Sequence, residues 1–275
     1  MSEREDGRFD IGDGWLAYEV GGNRQGETVV FSHAGFLDSR MFDAQWAALA
    51  NRYHLIRYDM RGFGRSSNAT APICRRADLR NLLEHLGVEH AHFVGCSMGG
   101  EIVLDLALET PGLATSVTLI GTFPSGFVLQ GKMPRYLKEM MTAVQAGNID
   151  LANELQIRIW FDGPFREPDQ VDEKLRQAAL EMNRIPVMNN THVTADMVPD
   201  SPLQPPAAER LAQVACRALV MVGALDDPEL LRAADVLAKS IPGARNEIIE
   251  ETAHVPSFEK PERVNRLLQE FLAAG

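Results

Sequence analysis

AHFVGCSMGG, residues 91–100, decides the reading of this chain. Ala91–Val94 form a short, mostly apolar run of the kind that makes a buried strand. Gly95-Cys96-Ser97-Met98-Gly99 follows as a turn. Ile102, Val103, Leu106 and Ala107 then recur at helical spacing over 98–109. A strand, a G-x-S-x-G turn and a helix, in that order, set the central serine on a sharp, strained elbow. The residues two before and two after it must lack bulk, and both are glycine. The helix start beneath Ser97 favours negative charge developing there. Ser97 is therefore the candidate nucleophile.

The same alternation extends in both directions. Residues 15–20 and 28–32 read as strands, 40–50 as a helix with Met41, Phe42, Trp46 and Leu49 on one side, and 53–58 as a strand. A helix over 75–86 carries Leu79, Leu82, Leu83 and Leu86, and 116–120 is again a strand. After a long interruption come a strand at 217–222, a helix at 228–240, a strand at 245–250 and a helix at 261–273. The last helix carries Val264, Leu267, Leu268, Phe271 and Leu272 as one apolar stripe. Strands alternating with helices predict an α/β fold with a mostly parallel central sheet flanked by helices. In such sheets ligands bind beyond the carboxyl ends of the strands.

Between about 122 and 205 the pattern breaks. No buried strand is evident, and helical pieces lie at 134–147, 149–161 and 169–183, separated by Gly and Pro. VPDSPLQPP at 198–206 closes the stretch like a boundary. The expected organisation is a core of 1–122 and 206–275 with a helical cap insertion at 123–205. Six of the eleven methionines fall in the insertion: Met133, Met140, Met141, Met182, Met188 and Met197. Some can form the insertion's own core and others an adaptable apolar lid. Phe36, Met140, Trp160 and Met188 are the expected pocket residues.

A serine hydroxyl needs a base, and the base needs an acid to fix its tautomer. His254 follows the last strand, whereas His54, His90 and His92 sit in or just before strands, His85 on a helix and His192 in the insertion. Asp226 follows the strand RALVMV, and spacing alone also admits Asp227. With Pro228 and Glu229 opening the next helix, Asp227 suits an N-cap, which leaves Asp226 as the acid. A tetrahedral intermediate further requires preorganised donors. The amides of Met98 and Gly35 are expected to supply them, with Phe36 as the alternative to Gly35. His33 is read as shaping that turn. Cys96 should point inward, because the elbow presents only its central residue. Asp59-Met60-Arg61-Gly62-Phe63-Gly64-Arg65-Ser66 reads as a braced loop beside the site, although Arg61 and Arg65 could also meet a substrate carboxylate.

Composition limits the remaining possibilities. The 275 residues are 45% apolar and 24% charged, with a formal net charge of −11. A chain this acidic has no broad basic face for nucleic acid or anionic lipid. No apolar run reaches the ~18 residues of a membrane span, and the charged N-terminus has no secretory pattern. Three cysteines without metal spacing suit reduced thiols, so a cytoplasmic protein with no metal and no cofactor is expected.

Taken together, HAGFLDSRMFDAQW, YDMRGFGRSS, VGCSMGG, VGALDD and the His254 loop resemble the α/β-hydrolase superfamily. More narrowly they resemble the cap-bearing esterases and lactonases around 3-oxoadipate enol-lactonase. The resemblance implies a catalytic Ser97, Asp226 and His254, with oxyanion amides at Gly35 and Met98. It departs from the family's pattern at Ala34, where Gly is frequent, and at Cys96, where His is frequent. The implied activity is cleavage of a small ester or lactone through an acyl-enzyme. Carbon–carbon bond hydrolases share the triad, and a slow-turnover signalling receptor of the same fold is the alternative from another class. The insertion matches the family least.

Overall fold

A computed structural model of the protein describes residues 4–196 and 200–274. Its strands are β1 (Glu5–Asp10), β2 (Trp15–Gly22), β3 (Thr28–Ser32), β4 (His54–Tyr58), β5 (Ala91–Cys96), β6 (Ala114–Ile120), β7 (Arg217–Gly223) and β8 (Arg245–Ile249). They form one sheet in the order β1-β2-β4-β3-β5-β6-β7-β8. The two pairs made by β2, with β1 and with β4, are antiparallel, and all later pairs are parallel. The α/β class with a mostly parallel sheet is as expected. β1 was not expected. Its residues, EDGRFD, are exposed or half-buried, so no buried apolar face marks it as a strand.

Strand periodicity divides the core into two layers. Val30, Phe93, Val220 and Val222 point to one face and pack with α2 (Arg75–His85), α3 (Met98–Glu109) and α7 (Pro228–Ser240). Val29, Phe31, Val94, Leu219 and Met221 point to the other and pack with α1 (Asp43–Leu49) and α9 (Pro261–Ala273). The α9 stripe of Val264, Leu267, Leu268, Phe271 and Leu272 is wholly buried. Each such side chain contributes about 1.5–3 kcal/mol of burial free energy.

β3 lies between β4 and β5, so the chain steps from β3 to β4 on one side and then crosses back past β3 to β5 on the other. α1 crosses one face on the way to β4, and α2 crosses the other on the way to β5. The order reverses there, and a crevice opens at the carboxyl ends of β3 and β5.

The stretch from β6 to β7 contains no strand among its described residues. It carries α4 (Leu137–Gln145), α5 (Ile149–Ile157), a π-helical turn at Arg158–Asp162, α6 (Glu173–Met188) and a second π-helical turn at His192–Asp196. The sequence suggests that α6 stops by residue 183, before Pro186. The helix instead runs through Pro186, which is buried inside it. Met197 and Val198–Pro199 lie outside the described residues. The short helix α8 (Pro256–Glu259) precedes α9 and was not legible as a helix.

Candidate active site

β5 delivers Ser97 to the crevice with φ 54° and ψ −121°. A non-glycine residue held at positive φ costs about 1–3 kcal/mol, which the surrounding packing must impose. The flanking glycines show how. A Cβ on Gly95 would lie 2.5 Å from the Gly99 carbonyl oxygen, and one on Gly99 would lie 2.1 Å from that of Ser32. Only bare backbone lets α3 start so close to β3 and β5. The Ser97 amide donates to the Ile120 carbonyl at 2.8 Å, which ties the elbow to β6.

Two loops bring the other groups to Ser97. The loop after β8 carries His254, and its Nε2 lies 2.8 Å from Ser97 Oγ. The loop after β7 carries Asp226, and its Oδ2 lies 3.0 Å from His254 Nδ1. An Nδ1–H donating to that carboxylate leaves the Nε2 lone pair facing the hydroxyl. The second Asp226 oxygen accepts the Asp227 amide at 2.8 Å. Asp227 turns away and accepts from the Glu229 amide at 2.9 Å, capping α7. The structure thus brings Ser97, His254 and Asp226 together and leaves Asp227 outside. Asp226 and His254 are both buried. The His254 ring lies between Phe36, at 6.1 Å between centroids, and Trp160, at 5.0 Å.

The turn after β3 faces the elbow. A Cβ on Gly35 would come within 2.9 Å of the Met98 side chain, so the two segments adjoin. Among the described residues, no acceptor is bonded to the amides of Gly35, Phe36 or Met98. His33 holds this turn in shape. Its Nδ1–H donates to the Ala34 carbonyl at 2.8 Å, and its Nε2 accepts the Met60 amide at 2.9 Å. Burial lowers the His33 pKa, keeping it neutral as that pattern requires. Cys96 is fully buried with its Sγ toward the His254 carbonyl, and burial raises its thiol far above the ordinary range. Asp59, Arg61 and Arg65 brace the neighbouring loop. Arg61 makes paired bonds to Asp78 and Asp13, and Arg65 reaches Asp6 and Glu19. Neither guanidinium lines the cavity at Ser97.

That cavity has a volume of about 760 Å³ and opens onto Ser97 and His254. Met98, Ile102, Phe123, Trp160 and Leu203 supply apolar wall. Trp160 also borders a second cavity of about 380 Å³. Of the expected pocket residues, only Trp160 forms wall. Phe36 lies behind His254, fully buried against its ring. Met140 lines neither cavity, and Met188 stands 61% exposed at the end of α6. Phe36, Met140 and Met188 thus line neither cavity, against expectation. Composition marked the helices as methionine-rich, but it carries no information on which helical face meets the sheet.

Several residues at the site were not singled out from sequence. Glu101 and Asp105 line the cavity from α3, and Arg75 and Arg76 line it from α2. Two acids four residues apart in the otherwise apolar run EIVLDLAL were a visible signal. Arg166 and Glu259 were also missed. Arg166 donates to Glu259 at 2.6 Å and to the Phe161 carbonyl at 2.7 Å, while Glu259 accepts the Ala253 amide at 2.8 Å. This ties the segment bearing Trp160 to the loop bearing His254. Among the described residues, no cluster of His, Cys, Asp or Glu forms a metal site, and no helix is long and apolar enough to cross a membrane.

Comparison with known proteins finds the alpha/beta hydrolase fold family matching residues 27–261. 3-Oxoadipate enol-lactonase 1 of Acinetobacter baylyi is 25% identical over 262 residues, covering 94% of this chain and 92% of the relative. 2-Hydroxy-6-oxo-6-phenylhexa-2,4-dienoate hydrolase of Burkholderia cepacia is 26% identical over 261 residues, covering 91% and 89%. Among solved structures, an enol-lactonase from Burkholderia xenovorans LB400 superposes with a TM-score of 0.77 at 22% identity, covering 97% of this chain and all of that one. A thermophilic esterase from Thermogutta terrifontis superposes with a TM-score of 0.78 at 22% identity, covering 98% of each chain.

Proposed function

The chain belongs to the alpha/beta hydrolase fold family, and on that premise we propose that it hydrolyses small carboxylic esters or lactones through an acyl-enzyme on Ser97. The observation that carries this reading is the continuous contact from Ser97 Oγ to His254 Nε2 and from His254 Nδ1 to Asp226, at 2.8 and 3.0 Å. The enol-lactonase likeness supports an ester or lactone as the bond cleaved.

In this mechanism Ser97 Oγ attacks the carbonyl carbon while Nε2 takes its proton. Asp226 holds the imidazole in the correct tautomer and stabilises the imidazolium. The carbonyl oxygen becomes an oxyanion and is received by the amides of Met98 and Gly35, with the α3 N-terminus beneath it. The imidazolium then protonates the leaving oxygen, and the C–O bond breaks. For a lactone the leaving alcohol stays attached to the acyl group. Water, deprotonated by the same Nε2, attacks the acyl-enzyme and releases the acid and Ser97.

The segment 123–205 acts as the cap. It sets Trp160 over His254 and bounds the cavity, whose volume of about 760 Å³ has room for a small-molecule ester. Short 4-nitrophenyl esters are the test. Wild-type protein should turn over acetate and butyrate faster than long-chain esters, and Ser97→Ala should lose about 10³-fold or more in kcat/KM. Full activity in Ser97→Ala overturns the reading. A second reading, hydrolysis of a carbon–carbon bond in a ring-cleavage diketone, is favoured by the Burkholderia cepacia relative. It uses the same three residues, and product analysis on such diketones separates the two.

A further inference from the structure

Glu101 is a charge at the cavity that the hydrolysis above does not use. It lies one turn along α3 from Ser97, with its amide bonded to the Ser97 carbonyl at 3.1 Å, and it lines the same cavity. The cavity's other inner carboxylates have partners. Asp105 accepts from Ser125 Oγ at 2.7 Å, and Asp196 meets Arg75 at 2.7 Å and His192 at 3.1 Å. Among the described residues, Glu101 has neither a hydrogen bond nor an ion pair on its carboxylate. The two cations of the wall are already engaged. Arg75 holds Asp196 and the Arg61 carbonyl, and Arg76 holds Glu109 at 3.0 Å with Asp105 at 3.9 Å. Asp200 and Glu209 add exposed acids to the lining. A carboxylate on a bound molecule would therefore meet only guanidiniums already paired with acids, and it would meet Glu101.

We propose that Glu101 sets the charge class of the substrate: the group extending from the scissile bond along α3 is uncharged or cationic, and a carboxylate there is rejected. This rests on the serine-hydrolase reading and narrows it. Burial, with the charges of Asp105 and Asp196, pushes the Glu101 carboxyl up to about 7. Below that pH it donates a hydrogen bond to a neutral acceptor such as a carbonyl. Above it, the carboxylate attracts a cation and repels an anion.

The test uses two series of short 4-nitrophenyl or alkyl esters, with the variable end in the acyl group in one and in the alcohol in the other. Each series ends in a methyl, a trimethylammonium or a carboxylate group, and rates are corrected for spontaneous hydrolysis. In the series whose variable end reaches Glu101, neutral and cationic esters should exceed the carboxylate ester by about tenfold or more in kcat/KM at pH 8. Glu101→Gln should cut that ratio to about threefold or less. Because the ratio is taken within one enzyme at one pH, pH effects common to all the esters cancel. Between pH 8 and 6 the ratio should fall in wild type through the Glu101 titration and stay level in Glu101→Gln. Asp105 and Asp196 act directly on Glu101, and the other titratable or charged groups lining the cavity are Arg75, Arg76, Asp200, Glu209 and His254; Asp105 is pushed up to about 6, chiefly by burial. Carboxylate esters that react as fast as neutral ones in both series, or a ratio indifferent to both Glu101→Gln and pH, overturn the inference and leave Ser97 chemistry standing. No turnover of any ester overturns the serine-hydrolase reading and this inference with it.

Discussion

The sheet and the helical segment 123–205 are held together by different physics. The sheet lies between two large apolar layers, where alternate residues of the central strands β3 to β7 are buried by helices on both faces. The segment's own apolar cluster is small, with Ala143, Ala152 and Val187 at its centre. Several of its other buried positions are polar, such as Asn153, Gln156 and Asn183, with the Asn183 amide donating to Asn153 at 2.9 Å. Arginines tie its parts together. Arg176 bridges Asp162 and Glu154, and Arg158 bridges Asp162 and Glu167. Its larger side chains, Ile157, Phe161 and Met182, are buried against the layer formed by the sheet. The sheet carries its own stability, while the segment borrows apolar burial and adds polar ties. On the reading proposed above, the reacting groups sit on the rigid part, and the cavity walls that select substrate come from both parts, Glu101 from α3 and Trp160 from the segment.

Substitutions that separate the two regions sharpen this contrast. The largest effect should come from the rigid part: Asp226→Asn should lower kcat by about 10²–10⁴-fold, because the amide permits the wrong imidazole tautomer. Its neighbour is the control. Asp227→Asn, at a helix cap that accepts a hydrogen bond with either side chain, should keep activity within about threefold. Equal losses at both positions would break the account of this loop.

The join between the regions comes next. Arg166→Ala leaves the buried Glu259 carboxylate without its partner, and should cost about 3–5 kcal/mol of stability in denaturant unfolding. It also loosens the loop under His254, so kcat should fall by about tenfold even where the protein remains folded. If activity per folded molecule is unchanged, the tie is purely structural. The smallest effects belong to the segment itself. Trp160→Ala should change kcat/KM by about tenfold in a manner that depends on the acyl group, since it removes a wall and joins two cavities. Met188→Ala, at an exposed position, should alter stability by less than about 0.5 kcal/mol and activity by less than about twofold.

Legibility in the sequence follows the same division. Runs such as TVVFS, AHFVG and RALVMV are buried on both faces, and physics leaves few alternatives for an apolar run of that length between turns. The α9 stripe is equally unambiguous. Ser97, Asp226 and His254 could be proposed because each lies in the turn or loop after a strand, where a parallel sheet presents its loops. β1 escaped notice because edge pairing through backbone needs no apolar pattern. The segment was legible as helices but not as a surface. Whether a helix such as α4 or α6 meets the cavity at all depends on packing with the sheet, and methionine is compatible with core, wall and solvent alike. Glu101 was visible as a polar break in an apolar helix. Its lack of a partner is a property of the assembled cavity, which local sequence does not encode.

The central claim concerns a single oxygen atom. Treatment with a short, uncharged fluorophosphonate, followed by intact-mass and peptide mass spectrometry, tests it directly. One adduct per chain should form and map to Ser97, it should be absent in Ser97→Ala, and its rate of formation should fall by about 10²-fold or more in His254→Ala. An adduct on another residue, or labelling that survives in Ser97→Ala, would contradict it.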